Sequence, residues 1–130
     1  MSTTIHQEIT INASVQRVYE ALTDAKQFAE LSGAAAQINP VAGGQFSCFD
    51  DMITGQTIEA MPGNRLVQAW RVGNWGPGIY SIVKFEFEKE SNEKSKLIFD
   101  HSGYPQEHSE HLEQGWHNKY WQPLNNYFGG

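Results

Sequence analysis

A chain of 130 residues has the size of one ordinary domain, and at that length roughly two-thirds of the unfolded surface can be buried in a single core. Its 7 Phe, 5 Tyr and 4 Trp residues supply large apolar groups and exclude an intrinsically disordered protein. Nine Lys and Arg against fifteen Asp and Glu leave a formal net charge of -6, which argues against a nucleic acid or an anionic membrane as a partner.

The cysteine content and the N-terminal sequence indicate the compartment. Cys48 is the single cysteine, so no internal disulfide can form, as is usual in a reducing environment. The first ten residues, MSTTIHQEIT, show neither the basic region nor the apolar run of a signal peptide. We therefore expect a cytoplasmic protein made of one domain, residues 1–130.

The chain begins with a predicted strand followed by a short helix. Apolar and polar residues alternate up to Ile11, which predicts a half-buried strand at about residues 3–11. The apolar spacing then becomes helical over residues 15–22, and Asn12 or Ser14 is placed to cap that helix.

A second short helix and an antiparallel meander are predicted next. Asp24 marks the capped start of that helix, and Gly33 its end. Over residues 35–103, turn residues such as Gly43-Gly44 and Gly55 recur every ten residues or so, which predicts six or seven antiparallel strands with one apolar face. The residues expected on that face are Phe46, Cys48, Leu66, Gln68, Trp70, Ile79, Ser81, Val83, Phe85, Phe87, Leu97, Phe99 and His101.

A long C-terminal helix is predicted over residues 108–128. Its apolar stripe consists of Leu112, Trp116, Tyr120, Pro123, Leu124 and Tyr127, widened by Trp121 and Phe128. Because Pro123 removes a backbone donor inside the helix, a kink or local widening is expected there. Such a helix lying across the apolar face of the sheet defines an α+β fold.

Several chemical motifs are weak. Asp100, His101 and Ser102 are adjacent in a strand and point to opposite faces, so they cannot converge as a catalytic triad. His108 and His111 have the spacing of two metal ligands on a helix, but they favour a solvated helix start because no third ligand is indicated. We expect no metal and no cofactor.

The aromatic inner face remains as the candidate site. Apolar walls with a few placed polar groups are typical of small-molecule pockets, but ordinary aromatic cores have the same composition, so both interpretations stay open. The candidate ligand-binding residues are Phe46, Cys48, Gln68, Trp70, Trp75, Ser81, Val83, Phe85, Phe99, His101, Trp116 and Tyr120.

Local motifs spread over nearly the whole chain resemble a known family. They are Ile53-Thr54-Gly55, the run RLVQAWR at residues 65–71, Asn74-Trp75 with Gly78, the run HSGYP at residues 101–105, and Gln114-Gly115-Trp116 with Tyr120-Trp121. In these motifs the chain is similar to the activator of heat-shock protein 90 ATPase homologue family, within the START-like (SRPBCC, birch-pollen-allergen-like) superfamily. The resemblance implies a helix-grip fold, in which the long helix closes a cavity over the sheet.

The resemblance also suggests roles for individual residues. Trp70 and Trp116 are expected to meet across the gap between sheet and helix, with Gly115 letting the helix backbone approach. Trp75 lies in a glycine-rich loop, where it either forms a lid or partner anchor or packs locally.

These observations lead to three functional hypotheses. The first is a non-enzymatic protein that binds a small hydrophobic or aromatic ligand, as members of the superfamily do. The second is a stress-response module that contacts a chaperone, which predicts an exposed apolar patch around Trp75 and no sizeable cavity. The third is an enzyme that uses His101 as an acid or base in an apolar pocket. Exposed sheet edges leave both a monomer and a homodimer open.

Overall fold

The computed structural model describes residues 4–129 and contains a seven-stranded antiparallel sheet flanked by helices. The strands are β1 (Thr4–Ile11), β2 (Gln37–Ile38), β3 (Gln45–Cys48), β4 (Ile53–Met61), β5 (Arg65–Val72), β6 (Ser81–Ser91) and β7 (Lys94–Ser102). Their order in the sheet is β1-β7-β6-β5-β4-β3-β2, so the first strand pairs with the last. The predicted α+β fold is confirmed. The predicted domain includes residues 1–3 and 130, and the predicted first strand includes residue 3. These residues lie outside the part of the chain that the structure describes.

Two short helices connect β1 to β2, and their caps follow the sequence. Helix α1 (Val15–Thr23) begins after Ser14, whose hydroxyl accepts a hydrogen bond from the amide of Arg17 at 3.3 Å. Helix α2 (Ala25–Ser32) begins after Asp24 and ends at Gly33, which has a left-handed φ of 75°. Of the two residues considered for the first cap, the structure uses Ser14.

The inner face of the sheet carries the alternating residues predicted for it. In β5, in β6 up to Phe87 and in β7, buried side chains alternate with more exposed ones, from Leu66 in β5 to His101 in β7. Ile79 is the exception, because β6 begins at Ser81 and Ile79 lies in the preceding loop with 44% of its surface exposed.

The turn predicted at Gly55 is wrong, since this glycine lies inside β4 and pairs with Phe46 and Trp70. A Cβ atom at this position would collide with the carbonyl oxygen of Ala69 and the ring of Phe46. Gly55 is therefore present because only a hydrogen atom fits between the two neighbouring strands.

The C-terminal helix (residues 109–127) lies across the inner face and contains the predicted widening. It consists of α3 (Ser109–Trp116), a π-helical segment (His117–Trp121) and α4 (Gln122–Tyr127). The amide of Gln122 donates to the carbonyl of His117, five residues back, directly before Pro123. The extra residue in this turn shifts the phase of the helix. Tyr120 and Trp121 therefore both point inward, whereas Tyr127 is exposed.

No helix in residues 4–129 is both long enough and apolar enough to span a membrane.

Candidate functional site

Trp116 is the centre of an aromatic cluster that joins the C-terminal helix to the sheet. Its ring centroid lies 4.3 Å from that of Phe99 and 5.1 Å from that of Trp70, both on the sheet. On the helix, the ring of Tyr120 lies 4.2 Å away. The predicted meeting of Trp70 and Trp116 across the gap is confirmed.

A chain of hydrogen bonds runs through this cluster and links helix to sheet. The indole Nε1–H of Trp116 donates to Nδ1 of His101 at 3.0 Å. Because an indole nitrogen can only donate, Nδ1 carries no proton, and His101 is the neutral tautomer with its proton on Nε2. That Nε2 donates to Oγ of Ser81 at 2.8 Å, and Ser81 in turn donates to the carbonyl oxygen of Trp70 at 2.7 Å.

His101 is held in its neutral form. Its side chain is 0% exposed, and burial lowers its pKa from 6.5 to about 3, since the imidazolium would lose its hydration. Protonation of Nδ1 would also replace the acceptor of this hydrogen bond by a second N–H donor, so that the N–H groups of His101 and Trp116 would repel each other. Both ring nitrogens are engaged within the protein, so neither faces a space that a substrate can enter.

Most of the predicted site residues lie in a packed interior. Phe46, Cys48, Gln68, Phe85 and Tyr120 surround a gap of only about 10 Å³, which holds one water molecule at most. Burial raises the pKa of the Cys48 thiol to about 12, so this thiol stays protonated. The remaining interior residues among those predicted are Ser81, Val83, Phe99 and His101, all of them buried.

A larger pocket of about 410 Å³ lies beside this interior, between the C-terminal helix and the ends of β4 and β5. Among the predicted residues, Trp70, Trp75, Trp116 and Tyr120 line it. The lining residues that were not predicted are Met52, Ile53, Val72, Asn74, His108, His111, Leu112, Gln114, Gly115, Asn118 and Lys119.

Gly115 leaves space in this pocket. We expected it to allow the helix to approach the sheet, but a Cβ atom added there meets nothing within 4 Å. That expectation is wrong. The missing side chain instead leaves the helix side of the pocket uncovered, directly before the buried Trp116.

Trp75 forms one wall of the pocket. Its side chain is only 6% exposed, with its ring stacked on His108 at 6.3 Å and edge-on to Trp70 at 5.9 Å. The guanidinium of Arg71 fixes the loop by donating to the carbonyl oxygens of Trp75 at 2.7 Å and Gly76 at 3.0 Å. Trp75 is thus held as a wall of the pocket.

The hairpin loop that brings Met52 and Ile53 to the pocket is strained. Phe49, Asp50 and Asp51 have φ values of 55°, 55° and 67°, a left-handed conformation that costs about 1 kcal/mol for each such residue. Packing offsets this cost, because the ring of Phe49 lies edge-on to Phe28 and Tyr120, 5.6 Å from each.

The two histidines of the helix start both line the pocket. His108 is half-buried against Trp75, and His111 is exposed. Within residues 4–129, no three His, Cys, Asp or Glu side chains are grouped so that they could hold a metal ion.

Comparison with known proteins relates this geometry to one family. The family described as "Activator of Hsp90 ATPase homolog 1-like protein" matches residues 12–129. The human "Activator of 90 kDa heat shock protein ATPase homolog 1" is 24% identical over 120 residues, which make up 92% of this chain and 35% of the human protein. The chain therefore spans about a third of the length of this relative.

Solved structures share the fold. An HSP90 activator from Plasmodium falciparum superposes with a TM-score of 0.90 at 24% identity, covering 97% of this chain and 96% of that one. The Aha1 dimer from Colwellia psychrerythraea superposes with a TM-score of 0.78 at 18% identity, covering 95% of this chain and 96% of that one. The predicted helix-grip fold is confirmed, and at these identities the likeness concerns the fold alone.

The neutral state of His101 predicts a pH dependence of stability. Between pH 6.5 and about 3 the unfolded chain binds a proton that the folded protein excludes, so the free energy of unfolding falls as the pH is lowered. Relative to His101→Gln, which keeps a donor and an acceptor, the wild type should lose up to about 1.4 kcal/mol per pH unit below pH 6. Urea unfolding at pH 7, 6, 5 and 4 measures this difference.

Phe99→Leu serves as the control, because it loosens the same cluster without removing a titratable group. It should lower the stability by a similar amount at each pH and keep the wild-type slope. Equal slopes for the wild type and His101→Gln would contradict the assignment of a buried neutral histidine.

Proposed function

Given that the chain belongs to the activator of Hsp90 ATPase homologue 1-like family, we propose that it is a binding protein without catalytic function, and that a small apolar or aromatic molecule occupies the pocket beside Trp75. One observation carries this proposal: a pocket of about 410 Å³ persists next to an interior that is otherwise filled. Ligand pockets in proteins span about 300–1,000 Å³, so this space suits a molecule of one to three rings.

The composition of the pocket supports the same proposal. Its apolar side consists of the rings of Trp70, Trp75, Trp116 and Tyr120, with aliphatic groups from Ile53. Aromatic side chains contribute large contact areas and prefer offset or edge-on contacts with other rings. Polar side chains lie mostly along the exposed helix side, where they would orient a ligand that lies on the rings.

The state of the buried reactive groups supports a role other than catalysis. The nitrogens of His101 are both hydrogen-bonded, and the hydroxyl of Ser81 is committed to the carbonyl of Trp70. The thiol of Cys48 stays protonated. None of these groups lines the pocket, so a bound molecule would not meet the buried imidazole, hydroxyl or thiol.

A second candidate function is contact with a chaperone of the Hsp90 class. The HSP90 activator from Plasmodium falciparum has nearly the same extent as this chain, which supports the idea that a domain of this size can serve that role. In the loop that holds Trp75, Ile79 and Tyr80 are 44% and 51% exposed. They are the apolar patch that such a contact would use.

Filling the pocket at Gly115 tests the first function. The neutral fluorescent probe N-phenyl-1-naphthylamine should bind the wild type saturably with one site per chain. Gly115→Leu should weaken this binding about tenfold or more, because the new side chain enters the pocket. Its thermal stability should not fall, since Leu favours a helix more than Gly does.

Gly115→Ala is the matched control for that experiment. It should keep the probe affinity within about threefold and raise the free energy of unfolding by about 0.5–1 kcal/mol. Absence of saturable binding to the wild type, or wild-type affinity in a folded Gly115→Leu variant, would overturn the ligand-binding proposal.

The chaperone function is tested by the rate of ATP hydrolysis of Hsp90 with and without this chain. The wild type should stimulate hydrolysis, and the double variant Ile79→Ser, Tyr80→Ser should lose most of that stimulation while keeping the wild-type melting temperature. The double variant Ile58→Ser, Met61→Ser removes exposed apolar groups from β4 instead and should stimulate like the wild type. No stimulation by the wild type would refute this function.

A further inference from the structure

The side chains that line the pocket carry a charge of opposite sign to the net charge of the whole chain. The protein carries fifteen Asp and Glu against nine Lys and Arg, yet no Asp or Glu occurs among the described residues that line the pocket. The charged side chain in the lining is Lys119, accompanied by His108 and His111. A pocket of this kind in an acidic protein favours a negatively charged occupant.

The positions of these groups divide the pocket into an apolar side and a donor side. His111, Gln114, Asn118 and Lys119 follow one another at helical spacing and are all exposed, so they form a polar rim along the C-terminal helix. The rings of Trp70, Trp75, Trp116 and Tyr120 form the apolar side. A ligand with an apolar body and one polar end would match both sides at once.

Lys119 has no competing partner in the part of the chain that the structure describes. Among residues 4–129 its ammonium group forms no salt bridge, whereas Lys84 and Lys96 each pair with a carboxylate. The acidic residues that adjoin lining residues in the sequence are Asp51, Glu107, Glu110 and Glu113, and none of them pairs with Lys119 among the described salt bridges. The carboxylate of Asp51 accepts a hydrogen bond from the hydroxyl of Ser47. The ammonium group of Lys119 can therefore meet a ligand's anion.

An aromatic cage for a cation is not formed by the same rings. The rings of Trp70 and Trp116 are tilted by 34° with their centroids 5.1 Å apart, and the ring of Trp75 is stacked on His108. The faces that these rings turn toward each other and toward His108 are therefore closed to a cation, which reduces the cation–π attraction that a cationic ligand would need. Lys119 would also repel such a ligand.

Resting on the proposed function, we propose that the ligand is an amphipathic anion, an aromatic or alicyclic carboxylate whose ring lies between Trp75 and Gly115 and whose negative group meets Lys119 at the rim. A carboxylate accepts charge-assisted hydrogen bonds from an ammonium group and from amide N–H donors such as those of Gln114 and Asn118.

Three probes of one shape test the sign of the charge: 2-naphthoate, 2-naphthamide and 2-naphthylmethylammonium. Titration calorimetry at low salt should give 2-naphthoate an affinity about fivefold higher than the amide, the usual size of one partly exposed ion pair. The ammonium probe should bind most weakly. The advantage of the acid should shrink as salt is added, since the ion pair lies near the surface.

Variants assign the preference to Lys119. In Lys119→Gln the ratio of the naphthoate affinity to the naphthamide affinity should fall to about one. Lys94→Gln makes the same change in net charge on the exposed start of β7, and both affinities should stay at their wild-type values.

The outcomes distinguish a failure of the anion proposal from a failure of the proposed ligand-binding function. Equal affinities of acid and amide in the wild type, tighter binding of the ammonium probe, or an unchanged ratio in Lys119→Gln would overturn the anion proposal while leaving a binding pocket in place. If none of the three probes binds, the proposed ligand-binding function fails together with the anion proposal.

Discussion

The hydrogen bond from the indole of Trp116 to Nδ1 of His101 is the constraint on which the rest of the structure depends. It is a polar contact between the C-terminal helix and the inner face of the sheet at β7, in a region without access to water. Leaving either buried group unpaired would cost about 1–3 kcal/mol, so the bond fixes both the height and the rotation of the helix. Ser81 and the carbonyl of Trp70 complete the chain and satisfy the remaining donors.

This placement of the helix determines where space remains. With Trp116 in contact with Phe99 and Trp70, the volume over the middle of the sheet is filled by rings, and only a gap of about 10 Å³ is left. The helix continues beyond the sheet contact toward the hairpin loop at Met52, and Gly115 contributes no side chain there. The pocket is thus a consequence of how the interior is packed, and it lies along the helix between His111 and Tyr120, beside the filled interior.

The fold could be predicted from the sequence because its main signals are periodic, whereas the pocket could not. Alternation identifies Leu66 and His101 as inner-face residues, and Pro123 indicates the widened helical turn. The same period places Tyr127 on the inward stripe together with Trp121, and it cannot show that the extra residue turns Tyr127 outward. Met52 and His108 meet at the pocket only through tertiary structure, and a sequence pattern contains no information about volume. Gly115, beside a conspicuous tryptophan, was a signal for the site, but its role was predicted incorrectly.

The position of a bound ligand tests this account most directly. Intermolecular nuclear Overhauser effects from 2-naphthoate bound to the isotope-labelled protein report which side chains its ring protons approach. The account predicts contacts to the α-protons of Gly115 and to the ring of Trp75, with none to Phe46 or Val83. Contacts to Phe46 and Val83, which would require the interior to open and the Trp116–His101 bond to break, would contradict it.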